Sequence, residues 1–264
     1  MEKIKQLRNT TGAGIVDCKK ALEESGGNIE KAVEILRKKG IAKAAGRSGR
    51  EANQGIIMIS ANESGAEGYI VEINSETDFV ARNEQFQQFA EKILAVIKNN
   101  KPDSIEKLMK LEMDNSTVQK NLDNLSGIIG EKLDIKRYEI LSGATVAAYS
   151  HMGGKIGVLV ALDKTGEQEL AHNIAMQIAA ANPKYIAPDE VPAEEIEKEK
   201  EIYREQLLKE KKPENIIDKI LSGKINKYFT EVCLIKQEYI KDDKKRIDDI
   251  LGDIKVEKIV RYSL

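Results

Sequence analysis

Aromatic residues are scarce in this sequence. Among 264 residues there is no tryptophan, with only 4 phenylalanines and 8 tyrosines, so aliphatic side chains and alanine must fill the interior. The two cysteines, Cys18 and Cys233, stand far apart without CxxC spacing. That excludes a disulfide framework, suits a reducing compartment and makes each thiol a small buried hydrophobe. Histidine is nearly missing too: His151 and His172 lie far from both cysteines in the chain, which supports neither a metal cluster nor a Cys–His pair. Nor is there an excess of charge of either sign. With 42 basic and 44 acidic residues the formal net charge is −2, which argues against a dedicated nucleic-acid binder. No apolar run approaches the roughly 20 residues of a membrane span, and Met1–Leu7 carries no apolar signal core. A cytoplasmic protein without membrane contact is expected.

Phosphate-binding glycine motifs are also lacking. No GxxxxGK[ST] run occurs, Gly12-Ala13-Gly14 follows a helix and lacks a third glycine, and Gly153-Gly154-Lys155-Ile156-Gly157 sits inside a hairpin. No cofactor, no resident metal and no catalytic residue is therefore expected, and the chain does not read as an enzyme. His172 reads as structural or exposed. His151, at a glycine-rich hairpin tip, suits contact better than catalysis.

What the sequence does have is clear periodicity. Ile4 and Leu7 open a first short helix that stops at Thr10–Gly14, Ile15, Cys18, Ala21 and Leu22 mark a second, and Ser25-Gly26-Gly27 ends it. Asn28 reads as the N-cap of a third, carrying Ile29, Ala32, Val33, Ile35 and Leu36 and closing at Gly40. Ile41–Gly49 reads as a linking helix or tether. Residues 1–54 form this helical unit, with 12 basic against 7 acidic side chains.

From Gly55 the period is that of strands. Ile56–Ser60 and Gly68–Ile73 flank an Asn62–Gly65 turn, a hairpin signal. A helix from about Glu84 to Ile97, helices around Ser104–Met109 and Ser116–Gly130, and a strand near Ile135–Ile140 complete a lobe over residues 55–140. The plan then repeats over residues 141–264. Thr145–Ser150 and Ile156–Leu162 form a second hairpin, and Gln168–Ala180 a helix. The last strands are Glu231–Ile235 and Lys255–Tyr262. Inserted at about 187–228 are two amphipathic helices turned at Lys211–Asn215, which should pack as an antiparallel hairpin. The fold class is α+β: a three-helix N-terminal unit, two related hairpin-plus-helix subdomains and a helical hairpin.

Thr77-Asp78-Phe79-Val80 is the most informative segment. Spacing alone allows two readings. Thr77 or Asp78 caps the next helix and Phe79 packs in the core, or the apolar pair faces a partner.

Three segments carry a resemblance: Leu7–Leu22, with its Thr11-Gly12-Ala13-Gly14 and Asp17-Cys18-Lys19-Lys20 runs; Thr77–Asn83; and His151–Val160. In order and separation they are similar to the signatures of the elongation factor Ts family, and the similarity spans nearly the whole chain. That resemblance implies a small ubiquitin-associated-like helical domain, a core of two related subdomains and a coiled-coil hairpin. It also implies a partner, elongation factor Tu, whose release of GDP the family speeds. Thr77, Asp78, Phe79 and Val80 would then lie against the partner's GTPase domain, with Phe79 wedged between two of its helices near the magnesium site. Arg8, Ile15, Val16, Lys19 and Arg47 match positions facing that same domain, and the His151 hairpin should touch another domain of the partner.

Longer family members continue past the final strand with a further helix that contacts the GTPase domain. Here the sequence stops at Arg261–Leu264, so that contact is expected to be missing and binding somewhat weaker unless compensated. Two rival readings stay open: an RNA-binding module using the basic helical unit, which predicts steeply salt-dependent binding, and an enzyme with an unrecognised site near His151.

Overall fold

The computed structural model describes residues 1–210 and 212–264. Three helices open the chain: α1 (Glu2–Thr11), α2 (Ile15–Glu24) and α3 (Ile29–Ala45). Asn28 caps α3, its side chain accepting the Lys31 amide. Leu7, Cys18, Ala21, Leu22 and Ala32 make a small core of their own.

The first lobe follows. Strands β1 (Gln54–Ala61) and β2 (Glu67–Ser75) pair antiparallel around a turn in which the Asn62 side chain accepts the Ala66 and Glu67 amides. Then come α4 (Asp78–Ala81), α5 (Glu84–Asn100), α6 (Ile105–Lys110), the two-residue strands β3 (Glu112–Met113) and β4 (Ser116–Thr117), α7 (Val118–Ile129) and β5 (Leu133–Ser142). β5 returns to pair with β2, giving the order β1-β2-β5.

The second lobe repeats this plan. β6 (Thr145–His151), β7 (Ile156–Leu162) and α8 (Gln168–Ala181) precede α9 (Ala193–Lys209), α10 (Glu214–Val232), β8 (Glu238–Tyr239), β9 (Asp242–Arg246), α11 (Ile247–Leu251) and β10 (Val256–Ser263). The sheet order is β6-β7-β10, again with the second hairpin strand in the centre.

The central strands explain the layering. Alternate side chains of a strand point to opposite faces. On β2, Tyr69, Val71 and Ile73 join Phe86, Phe89 and Ile93 of α5, while Ile70 packs toward the other sheet. On β7, Val158, Val160 and Leu162 join Ile174 and Ile178 of α8, while Leu159 and Ala161 face the first sheet. The body is thus a helix–sheet–sheet–helix stack. Gly157 marks the close approach: a Cβ there would stand 2.5 Å from the Ile57 side chain.

Three features depart from the sequence reading. Helix α3 does not close at Gly40 but runs on to Ala45. Gly40 serves a helix crossing instead, since a Cβ on Gly127 of α7 would lie 2.5 Å from the Gly40 Cα. Glu231–Ile235 is not a strand: α10 extends through Val232, and Cys233 makes one parallel bridge to Tyr185. Its neighbours exchange backbone bonds with residues 184–186, and Leu234 is buried in the second core, so the apolar run fastens the base of the helical hairpin. Between α6 and α7 the chain forms a miniature hairpin turned by Asp114 and Asn115, both at positive φ.

Helices α9 and α10 pack antiparallel, with Arg204 bonded to Asp218 at 2.7 Å near the far end and Tyr228 donating to Glu195 near the base. Leu207, Ile217, Leu221 and Ile225 are buried. Lys211, within the predicted turn, lies outside the described residues.

Candidate partner interface

A helix of four residues can turn only part of its circumference inward. In α4 that position falls to Val80, which joins the first lobe's core beside Ile56 and Phe86. Phe79, next to it, is 80% exposed. The core-facing reading of Phe79 is therefore not the one the structure adopts, because Val80 occupies the inward position.

The segment leading into α4 is held from outside. Thr77 stands in extended backbone at the N-cap position, yet its side chain caps no amide. Its hydroxyl donates to Glu131 Oε1 at 2.7 Å and its N–H to Oε2 at 3.0 Å. The Ser75 hydroxyl donates to the Thr77 carbonyl at 2.9 Å. Glu76 accepts the Lys132 amide at 2.6 Å and the Arg50 guanidinium at 3.2 Å. The Lys132 bond, then Arg50, holds the Glu76 carboxyl below the usual carboxylate range. Asp78 takes an ion pair from Arg82 one turn on, at 3.0 Å, and this solvent-facing pair adds little stability. After it, Asn83 caps α5 by accepting the Gln85 and Phe86 amides.

Other expected contact residues lie on the helical unit and the second lobe's hairpin. Ile15 and Val16, in the first turn of α2, are 57% and 65% exposed. The α1–α2 turn before them rests on α5 and α7, with the Cβ direction of Gly12 meeting Gln85 at 3.1 Å and Ile128 at 3.2 Å. The start of α2 and the helix α4 therefore flank the same end of α5. Arg8 and Lys19 are exposed, Lys19 in loose contact with Glu23 at 3.9 Å. Arg47 is half-buried and donates to the Ser126 carbonyl at 3.1 Å, tying the linker to α7.

The β6–β7 tip reaches the same neighbourhood. The Gly154 carbonyl accepts the Ile57 amide at 2.7 Å, so the tip sits on the start of β1, where Val80 also packs. His151 is exposed there, its Nδ1 bonded to the Tyr149 hydroxyl at 3.0 Å, and Met152 beside it is 65% exposed. Tyr149 also meets His172, itself exposed, edge-on at 5.5 Å. Neither imidazole has a carboxylate or thiol among its hydrogen-bond partners described here. Among the described residues no cluster of His, Cys, Asp and Glu is suited to a metal, and no helix is long and apolar enough to cross a membrane.

A groove of about 420 Å³ separates the helical unit from the first lobe. On its walls Lys92 pairs with Asp114 at 2.5 Å and Arg37 donates to the Ser116 hydroxyl at 2.6 Å. Both cysteines are buried, and burial pushes the Cys233 thiol up to about 11. Sequence reasoning missed Glu131 and Glu76 as supports of α4. Glu131 is remote in sequence from Thr77, and no local period signals such a pairing.

Phe79 on α4, Ile15 and Val16 on α2 and Met152 on the β6–β7 tip thus stand exposed on an α+β body, the class of surface that can grip another macromolecule. The comparisons with known proteins agree with that class. The family model described as Elongation factor TS matches residues 76–264. The chain is 44% identical to Elongation factor Ts of Prosthecochloris aestuarii, covering 99% of this chain and 96% of that one, and 43% identical to that of Chlorobaculum tepidum with the same coverage. The relative from Clostridium perfringens is 44% identical over 98% of this chain and 91% of its own. The chain belongs to the elongation factor Ts family, and its role lies in the elongation stage of protein synthesis.

Proposed function

We propose that this chain is the guanine-nucleotide exchange factor for elongation factor Tu in the cytoplasm, acting by contact alone, without a catalytic residue, cofactor or metal of its own. The observation that carries this reading is Phe79, 80% exposed on a short helix whose lead-in is clamped by Glu131 and Glu76. An aromatic ring held in water recovers roughly 1.5–3 kcal/mol when it is buried. Inserted between two helices of the GDP-bound partner, it would displace them and disturb the magnesium coordination. The diphosphate then loses its compensating charge and leaves, so that GTP can bind.

Coupling of this kind is reciprocal: factor and nucleotide weaken each other's binding by the same factor. A wedge alone would be expelled, so further surface is needed. Arg8, Ile15, Val16 and Lys19 offer it on the helical unit, Arg47 lies near the Glu76 carboxylate, and His151 with Met152 forms a second point of contact. Asp78, paired only at the surface, is available to bond the partner.

The test is release of fluorescent GDP from elongation factor Tu with and without the protein. Wild type should accelerate release. Phe79→Ala should lose about tenfold or more of that acceleration, the equivalent of the ring's burial. No acceleration by the wild-type chain, or full activity in Phe79→Ala, would count against the reading.

A further inference from the structure

A four-residue helix lacks the length to persist by itself, because nucleation costs more than one turn returns. Helix α4 also lacks a side-chain cap: Thr77 occupies the N-cap position without bonding any α4 amide. Something outside α4 must hold its first turn and so set the direction of Phe79. Besides Val80 in the core, the contacts with that effect come from the turn after α7. Gly130 ends α7 at φ 89°, and the Ser126 hydroxyl donates to the Glu131 carbonyl at 2.6 Å, which fixes the backbone of Glu131. The half-buried Glu131 carboxylate then takes both the Thr77 hydroxyl and the Thr77 N–H. In return Glu76 accepts the amide of Lys132, whose ammonium bonds the Arg50 carbonyl at 2.9 Å. Residues 76–77 and 131–132 thus exchange hydrogen bonds as two adjacent pairs.

From this geometry we infer that Glu131 is the positioning residue of the Phe79 wedge. Resting on the exchange reading above, the inference adds what makes the wedge stiff. Both bonds are donated by Thr77 to the one Glu131 carboxylate, and hydrogen bonds to a carboxylate are the stronger kind. They engage both Thr77 donors, so the residue that leads into α4 is fixed to the turn after α7. A ring pressed between two helices meets restoring force from the partner, and only a braced α4 transmits that force into the lobe instead of yielding. Glu131 touches neither the partner's nucleotide nor its metal in this role; it acts through Thr77.

The full-length chain with Glu131→Ala and Glu131→Gln tests this in two arms. In the first, hydrogen–deuterium exchange of the free protein is followed by peptide. Glu131→Ala should speed exchange across residues 77–81 by about tenfold, the scale of losing charge-assisted hydrogen bonds, with β1, β2 and α5 unchanged. In the second, GDP release is measured against factor concentration. The maximal rate should fall about tenfold while the half-saturating concentration moves less than about twofold, the pattern of a group that acts in the strained complex more than in docking. Glu131→Gln retains one acceptor oxygen and should fall between the two. Unchanged protection in Glu131→Ala overturns the clamp whatever the release assay gives. Lost protection with an undiminished maximal rate overturns its part in exchange, as does a loss spread over the whole chain. If the wild type itself fails to stimulate release, the exchange reading fails while the protection arm still decides the clamp.

Discussion

Phe79 and Val80 are neighbours in one turn of helix, yet one stands in water and the other in the core. Their substitutions should separate accordingly. Phe79→Ala is expected to leave the melting temperature within about 2 °C of wild type, as for exposed sites away from structural features, while stimulated GDP release collapses. Val80→Ala should instead lower stability by about 1–3 kcal/mol, read from urea unfolding, because it empties a packed position. A Phe79→Ala chain that unfolds with Val80→Ala would show the ring to be structural. Which of the two faces inward was not legible from the sequence, since both are apolar and four residues establish no period. Thr77 was legible as a cap position and not as a clamped residue, because its partner Glu131 is distant in the chain and close only after folding.

Elements carry a second set of consequences. The crossing of α3 on α7 depends on two facing glycines, Gly40 and Gly127. Gly127→Leu should wedge the helices apart and release the helical unit from the first lobe. Small-angle scattering would then give a larger radius of gyration at nearly unchanged helical content, and affinity for elongation factor Tu should fall with it. An unchanged radius would mean that the unit is held elsewhere. At the base of the helical hairpin, Glu195 gathers Lys184, Tyr228 and Tyr185, and these bonds, Lys184 foremost, hold its carboxyl at about 2 instead of the ordinary 4.5. A lowered carboxylate stabilises the fold above its unfolded value and loses that contribution as pH falls through the folded one. The melting-temperature gap between wild type and Glu195→Gln should accordingly be constant from pH 7 to about 5 and narrow from there toward pH 2. A gap that persists at pH 2 would assign the difference to packing. The amphipathic stripes of α9 and α10 were readable from residue spacing. The role of Glu231–Ile235 was not, because a β-branched run has the same composition whether it forms a ladder or a single bridge.

At the scale of the molecule, the two lobes share a core. Ile57 and Ile70 of the first sheet meet Leu159 and Ala161 of the second, and Gly157 lets the strands approach. Gly157→Val should cost about 2 kcal/mol or more, since the added side chain has no space to enter. A shift of the urea midpoint for probes in both lobes together would show that they unfold as one body, whereas a shift confined to one lobe would show independent units. The sequence by itself determined the order of the main helices and hairpin strands, the repeated plan of the two lobes and the family. The elements rest on local periods, caps and turns, which act over a few residues, and the family rests on the three signature segments. The tertiary structure decided the face of α4, the clamp on Thr77, the seating of α3 on α7 and the sheet-on-sheet layering. Each of these is a contact between segments far apart in the chain, and burial and hydrogen bonding there choose among local options of nearly equal energy.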